Sequence, residues 1–221
     1  MSFNVAIDGP AGAGKSTIAK LVAKELNFIY VDTGAMYRAI ALFLLNKGIS
    51  KDDEKAIADV CGEIDIEIKH ADGLQQVWLN GQDVSAEIRR EAVGNMASAT
   101  SVYSCVREKL LSLQRDIAAT QDVIMDGRDI GTCILPNAQA KIYLTASVST
   151  RAKRRYQELC EKGVSCDLEE IKKDIEDRDY RDMHREISPL KQAEDAVLVD
   201  SSDMTIEQVV ERIVEICREK K

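Results

Sequence analysis

Residues 9–16 read Gly9-Pro10-Ala11-Gly12-Ala13-Gly14-Lys15-Ser16, the spacing G-x-x-x-x-G-K-S. Glycines let a backbone close around an anion and turn its N–H groups inward. A helix starting at the end of such a loop adds the positive end of its dipole. A lysine there brings a full charge to the β- and γ-phosphates of a nucleotide, and the serine hydroxyl is a ligand for Mg²⁺. The pattern needs a strand before it and a helix after it. Phe3-Asn4-Val5-Ala6-Ile7 reads as a short buried strand, and Ile18, Leu21, Val22 and Leu26 recur at helical spacing. The stretch is therefore expected to bind a nucleotide triphosphate.

Further polar residues punctuate the ends of the expected strands. The first strand ends in Asp8, the second in Asp32-Thr33-Gly34-Ala35-Met36-Tyr37-Arg38, and a third in Asp126-Gly127-Arg128-Asp129-Ile130-Gly131. Ligands of open parallel sheets sit at the carboxyl ends of the strands, so these loops are expected on one rim, with Tyr37, Arg38, Arg128 and Asp129 in reach of one bound molecule. Asp126 reads equally as a turn carboxylate before Gly127 or as a group near Mg²⁺. Arg151, Lys153, Arg154 and Arg155 crowd one helical region. Arg151 and Arg155 share a face, where like charges repel unless an anion sits among them. Arg178, Arg181, Asp182 and Arg185 follow i, i+3, i+4, i+7 spacing. That face reads either as an anion site or as a solvated salt-bridge face, and His184 reads as a surface residue.

The elements that must carry these groups alternate. Strands are expected at Phe28–Val31, Val123–Asp126, Ile142–Leu144 and Ala196–Asp200, besides the first. Helices are expected from about Ala35, from a cap at Ser50–Asp53 to about Cys61, over 92–119 with a break near Tyr103, over Thr150–Cys160, over Leu168–His184, and at the C-terminus through Ile206, Val209, Val210, Ile213 and Ile216. Gly163-Val164-Ser165 reads as a turn. Between about 63 and 92 the texture changes: Ile64, Ile66 and Ile68 alternate with charges, and Asp72-Gly73 and Asn80-Gly81 are tight-turn signals around Val77-Trp78-Leu79. This is the pattern of a small antiparallel insert. The fold class is α/β, a five-stranded parallel sheet covered by helices on both faces.

With 221 residues, 45% hydrophobic and 31% charged, an ordinary soluble balance, the chain reads as one domain or one domain with a small insert. A net charge of -8 argues against nonspecific nucleic-acid binding. Nine of the fourteen arginines lie between Arg107 and Arg185, so the cations are placed locally. The six cysteines form no C-x-x-C pair and read as reduced thiols of a cytosolic protein. The first residues lack a charged n-region and an apolar h-region, so no signal peptide is expected, and no apolar run approaches the ~18 residues of a membrane span.

The segments D-G-P-A-G-A-G-K-S, D-T-G-A-M-Y-R, V-R-E-K-L-L, D-G-R-D-I-G-T and R-D-Y-R-D-M-H-R, in this order, resemble bacterial cytidylate kinases along essentially the whole chain. The resemblance implies a P-loop NTPase fold and transfer of the ATP γ-phosphoryl to CMP and dCMP with Mg²⁺, in a cytoplasmic, monomeric enzyme of pyrimidine metabolism that binds neither nucleic acid nor membrane. It implies a core (1–62, 93–148 and 167–221), an acceptor-binding insert at about 63–92, and a lid at about 149–166. ATP would lie on Gly9 to Ser16 and Thr17, with Ser16 on the metal. Cytosine would meet Ser98, Arg107 and Asp129. The CMP phosphate would meet Arg38, Arg128 and Arg185, near Tyr37 and Thr33. The sugar would meet Arg178 and Asp182. Lys15 and Arg128 would serve catalysis, and Arg151, Arg154 and Arg155 would close over ATP. The rivals are a kinase for UMP or shikimate and a non-catalytic nucleotide-binding switch. A GTP switch would carry N-K-x-D, which fails here because Asn46-Lys47 continues as Gly48-Ile49.

Overall fold

The computed structural model describes residues 2–71 and 74–221. The chain divides into two compact units, one made of residues up to Tyr30 together with Gln121–Lys221, the other of Val31–Thr120.

The first unit is built on β1 (Asn4–Asp8), followed by α1 (Lys15–Leu26) and β2 (Ile29–Asp32), within which the unit boundary falls. After the second unit the chain returns as β6 (Val123–Gly127), β7 (Ala140–Thr145), α6 (Val148–Glu161), α7 (Leu168–His184), β8 (Val197–Asp200) and α8 (Ile206–Glu219). The sheet order is β2-β6-β1-β7-β8. β1 lies parallel to β6 with Asp8 opposite Gly127, and parallel to β7 with Ile7 opposite Ile142. Central position makes β1 dry on both sides: Val5, Ala6 and Ile7 have no exposed surface. Around them Ile18, Val22, Ile124, Leu144 and Ile213 form the core, each burial contributing roughly 1.5–3 kcal/mol.

Helices flank the sheet as expected; at its edge, on β8, Leu198 is 56% exposed. The buried face of α1 carries Ile18, Ala19, Val22 and Ala23, with Leu21 exposed. α7 spans the expected residues. Its partner α6 ends at a turn in which Gly163, at φ 71, donates its N–H to Cys160 O, the left-handed helix stop that glycine favours.

The second unit holds α2 (Thr33–Asn46), α3 (Glu54–Val60), β3 (Ile66–Ala71), β4 (Leu74–Leu79), β5 (Gln82–Asp83), α4 (Glu91–Thr100) and α5 (Ser104–Thr120). α2 begins two residues before the expected Ala35, because Asp32 Oδ1 accepts the Ala35 N–H at 2.9 Å and caps it. β3, β4 and β5 form an antiparallel sheet of their own. Asn80 and Gly81 both have positive φ, the two-residue turn that matches strand twist. The expected turn at Asp72-Gly73 lies outside the described residues. The break near Tyr103 falls between Thr100 and Ser104.

Candidate active site

In the first unit, the chain leaves β1 into a loop that only glycine can begin. A Cβ at Gly9 would overlap the Leu144 carbonyl. Gly14, at φ 87, is the N-cap of α1, so the helix opens directly on Lys15 and Ser16. Lys15 is buried and its Nζ donates to Pro10 O at 2.8 Å across the loop. Burial holds its pKa well below the usual lysine range. Arg128 adds to that shift, while Asp126 and Asp8 oppose it. In the parallel pairing of β1 and β6, Asp8, which precedes the phosphate loop, lies opposite Gly127, which precedes Arg128.

Asp126 is neither a helix cap nor a simple turn residue. Its Oδ2 accepts the Ser16 hydroxyl at 2.8 Å and its Oδ1 accepts the Tyr30 hydroxyl at 3.0 Å. Two hard oxygen donors at the mouth of the loop suit Mg²⁺. Among the described residues no group of three or more His, Cys, Asp or Glu side chains could hold a metal by itself. The protein would therefore supply Ser16 and Asp126, and phosphate oxygens and water the rest.

The loop after β6 winds into a π-helical turn, Ile130–Ile134, following Asp129, a feature common at functional sites and not foreseen from the sequence. Asp8 accepts the N–H groups of Ile130 and Gly131 at 2.8 and 2.7 Å. Burial pushes the Asp8 carboxyl up to about 6, against those two bonds. Arg128 Nε donates to Asp182 Oδ2 at 2.9 Å, and Arg185 Nη2 lies 3.6 Å from Asp129 Oδ1. Burial raises the Asp182 pKa, but Arg128, Arg178 and Arg185 together hold it below the usual carboxylate range. The inner face of α7 is therefore a buried charge network: Asp179 and Asp182 are buried, whereas Arg181 is exposed and bonds its own helix. His184 is exposed and stacks on Tyr180.

Of the α6 arginines, Arg151 is 3% exposed. It forms a two-pronged pair with Asp179 at 2.5 and 3.1 Å and donates to Ala11 O at 3.0 Å in the phosphate loop. The anion expected among these arginines is thus the protein's own carboxylate. Arg154 donates to Ser201 O at 2.7 Å, and the exposed Arg155 to Glu158 at 2.9 Å.

In the second unit, the cap that starts α2 also orders its surroundings. Gln75 brackets the Asp32 backbone, accepting its N–H at 2.8 Å and donating to its carbonyl at 3.2 Å. Arg89 reaches Asp32 Oδ2 at 3.2 Å. This anchors the small sheet and the turn after it to the first residues of α2. Thr33 is buried there, and Tyr37 and Arg38 follow one turn on, half-buried. Arg38 Nη1 donates to Ile88 O at 3.1 Å, and its guanidinium lies against Gly94, where a Cβ would come within 2.8 Å. Arg107 is buried on α5, donates to Ser101 O at 3.0 Å, and stands 5.6 Å from the Tyr37 ring centroid, within cation–π range. Ser98 lies one helical turn before, half-buried, with its carbonyl taking the Ser101 hydroxyl. No local pattern marks Asp179, Tyr30, Gln75 or Arg89 for these roles. For Asp8 the one signal was its place immediately before the loop.

A parallel sheet with an intact phosphate loop, a serine–aspartate pair at its mouth and a cluster of arginines beside it defines a P-loop phosphotransferase architecture. A family model described as cytidylate kinase matches residues 5–219. A cytidylate kinase from Lactobacillus gasseri is 52% identical over 99% of this chain and 95% of its own length. One from Caldicellulosiruptor saccharolyticus is 51% identical over 97% and 95%. One from Geobacillus sp. is 48% identical over 99% and 98%. Among solved structures, an uncharacterized protein from Eubacterium ventriosum aligns over 99% of both chains with a TM-score of 0.53 at 13% identity, a likeness of fold. The chain belongs to the cytidylate kinase family.

Proposed function

We propose that the chain transfers the γ-phosphoryl group of ATP to CMP and dCMP, giving ADP and the nucleoside diphosphate, in the cytoplasm and as a monomer. The observation that carries this reading is that the phosphate loop and the Arg128–Asp129 loop leave paired, parallel strand ends, Asp8 opposite Gly127. One anion site beside another is what a transfer between two phosphates needs.

The acceptor oxygen belongs to a phosphate monoester whose second pKa is about 6, so at neutral pH it is already ionised and needs no strong base. The difficulty is bringing two polyanions into line and neutralising charge as the bond to the leaving oxygen stretches. Gly9 to Thr17 wrap the triphosphate, and Lys15 reaches its transferred end. Mg²⁺, when bound at Ser16 and Asp126, supplies charge neutralisation between phosphates. Arg38, Arg128 and Arg185 take the acceptor phosphate, near Thr33 and Tyr37, and Arg178 and Asp182 take the sugar. Ser98, Arg107 and Asp129 read the base: cytosine presents an amino donor to a carboxylate, whereas uracil presents an acceptor.

In this reading residues 149–166 act as a lid and 63–92 as the acceptor-side insert. The Arg151 clasp on Ala11 O and Asp179 supports a role for Arg151 in ordering the phosphate loop, with Arg154 and Arg155 facing ATP on closure. Among the described residues no helix is long and apolar enough to cross a membrane. The test is ADP production with CMP, dCMP, UMP, AMP and shikimate at equal concentration. Turnover with CMP and dCMP well above the rest is expected. Faster turnover with shikimate or UMP, or ADP production indifferent to any acceptor, would overturn it.

A further inference from the structure

The main chain just beyond Arg128 and Asp129 is clasped by one buried carboxylate. The Ile130 and Gly131 N–H groups open the π-helical turn, and both donate to Asp8, one to each carboxylate oxygen. Asp8 is 5% exposed, so no water competes freely for those oxygens. The clasp is also closely packed. A Cβ on Gly131 would lie 3.3 Å from Asp8 Oδ2 and 3.2 Å from Lys141 Cδ. Register explains why Asp8 is the residue that does this: it sits opposite Gly127, at the end of the neighbouring strand. Its own main chain then runs straight into Gly9. One residue thus connects the phosphate loop, through its backbone, with the acceptor loop, through its side chain.

We infer that Asp8 is a positioning residue for the acceptor: its carboxylate sets the orientation of the Arg128–Asp129 segment toward CMP. The inference rests on the reading above, in which those two residues contact CMP. An amide at position 8 has one acceptor oxygen, and its NH₂ group would face the second N–H. One of the two backbone donors then loses its partner and the loop gains freedom. The triphosphate loop keeps its glycines, Lys15 and Ser16, so ATP binding is spared.

The test measures KM for CMP, KM for ATP and kcat for Asp8→Asn, Gly131→Ala and the double variant, with Asp129→Ala as reference. Losing one charge-assisted bond predicts a rise of about tenfold in KM for CMP with Asp8→Asn. KM for ATP is expected to stay within about twofold, because uniform effects on both substrates would report general damage. Gly131→Ala disturbs the same clasp, so the double variant should be no worse than the poorer single one. An unchanged KM for CMP, equal rises for both substrates, or additive losses would overturn the inference. If Asp129→Ala also leaves CMP binding untouched, the assignment of the acceptor site itself fails; if it weakens CMP binding and Asp8→Asn does not, only the role of Asp8 fails. Should Asp8→Asn not fold, Asp8→Ser, smaller and still an acceptor, is read the same way. A chain that folds with neither marks the carboxylate as purely structural and overturns the inference as well.

Discussion

The two units hold their arginines by different means. In the first, guanidinium groups are clasped by buried carboxylates: Arg151 by Asp179, Arg128 by Asp182, Arg185 close to Asp129. In the second, Arg38 and Arg107 donate to main-chain carbonyls of their own unit, and the ion pair that anchors the small sheet, Arg89 with Asp32, has an arginine side chain 56% exposed. Buried pairs are costly to break, because the surviving charge is stranded. Exposed pairs are screened and contribute little. The first unit therefore holds these charges rigid and neutralised. In the second, main-chain carbonyls of Ile88 and Ser101 help to place Arg38 and Arg107.

The largest expected effect tests the first unit's chemistry alone. Lys15→Ala should lower kcat about 10³-fold or more, as loss of a phosphate-clamping cation does elsewhere. Stability should not fall, since the burial that depresses the lysine pKa is relieved. A drop of less than tenfold in a steady-state assay would mean that Lys15 does not reach the transferred phosphoryl.

Next comes the contrast between the clasps. Asp179→Ala should cost about 3–5 kcal/mol in urea unfolding, by leaving Arg151 buried without its partner. Arg89→Ala, in the second unit, should cost no more than about 1 kcal/mol. Equal losses would erase the distinction.

A third effect is set by pH. Burial raises the Asp8 carboxyl to about 6, with Asp129 adding to the shift and Lys15 and two N–H groups opposing it. The folded chain then binds a proton more readily than the unfolded one. Stability from this group is greatest below the unfolded pKa and is lost as pH rises through 6. Two pH units correspond to about 3 kcal/mol. As pH falls from 8 to 5, Tm of the wild type should gain on that of Asp8→Asn, which cannot titrate there. A gap independent of pH would show that Asp8 has an ordinary pKa.

The extent of all this that could be read in advance follows from range. Local signals held: the glycine loop, α7 from Leu168 to His184, the Asn80-Gly81 turn and the helix break after Thr100. Each is set by residues a few positions apart. What was hidden depends on partners far away in sequence. Asp126 reads equally as a turn carboxylate or as a group near Mg²⁺ until Ser16 and Tyr30 arrive from the other end of the chain. The α6 arginines call for an anion, but nothing local says that Asp179 provides it. The π-helical turn has no periodicity to announce it; it is held by Asp8, more than a hundred residues earlier.

The last effect is the one nearest the choice of substrate. Asp129 is buried, with Arg185 beside it, and in the proposed function it accepts from the cytosine amino group. The most direct measurement is the ratio of kcat/KM for CMP to that for UMP, in the wild type and in Asp129→Ala. The wild type should favour CMP, and the variant should lose roughly 1–3 kcal/mol of that preference, a factor of about 5 to 150. A wild type without preference for CMP, or a ratio unchanged in the variant, would contradict it.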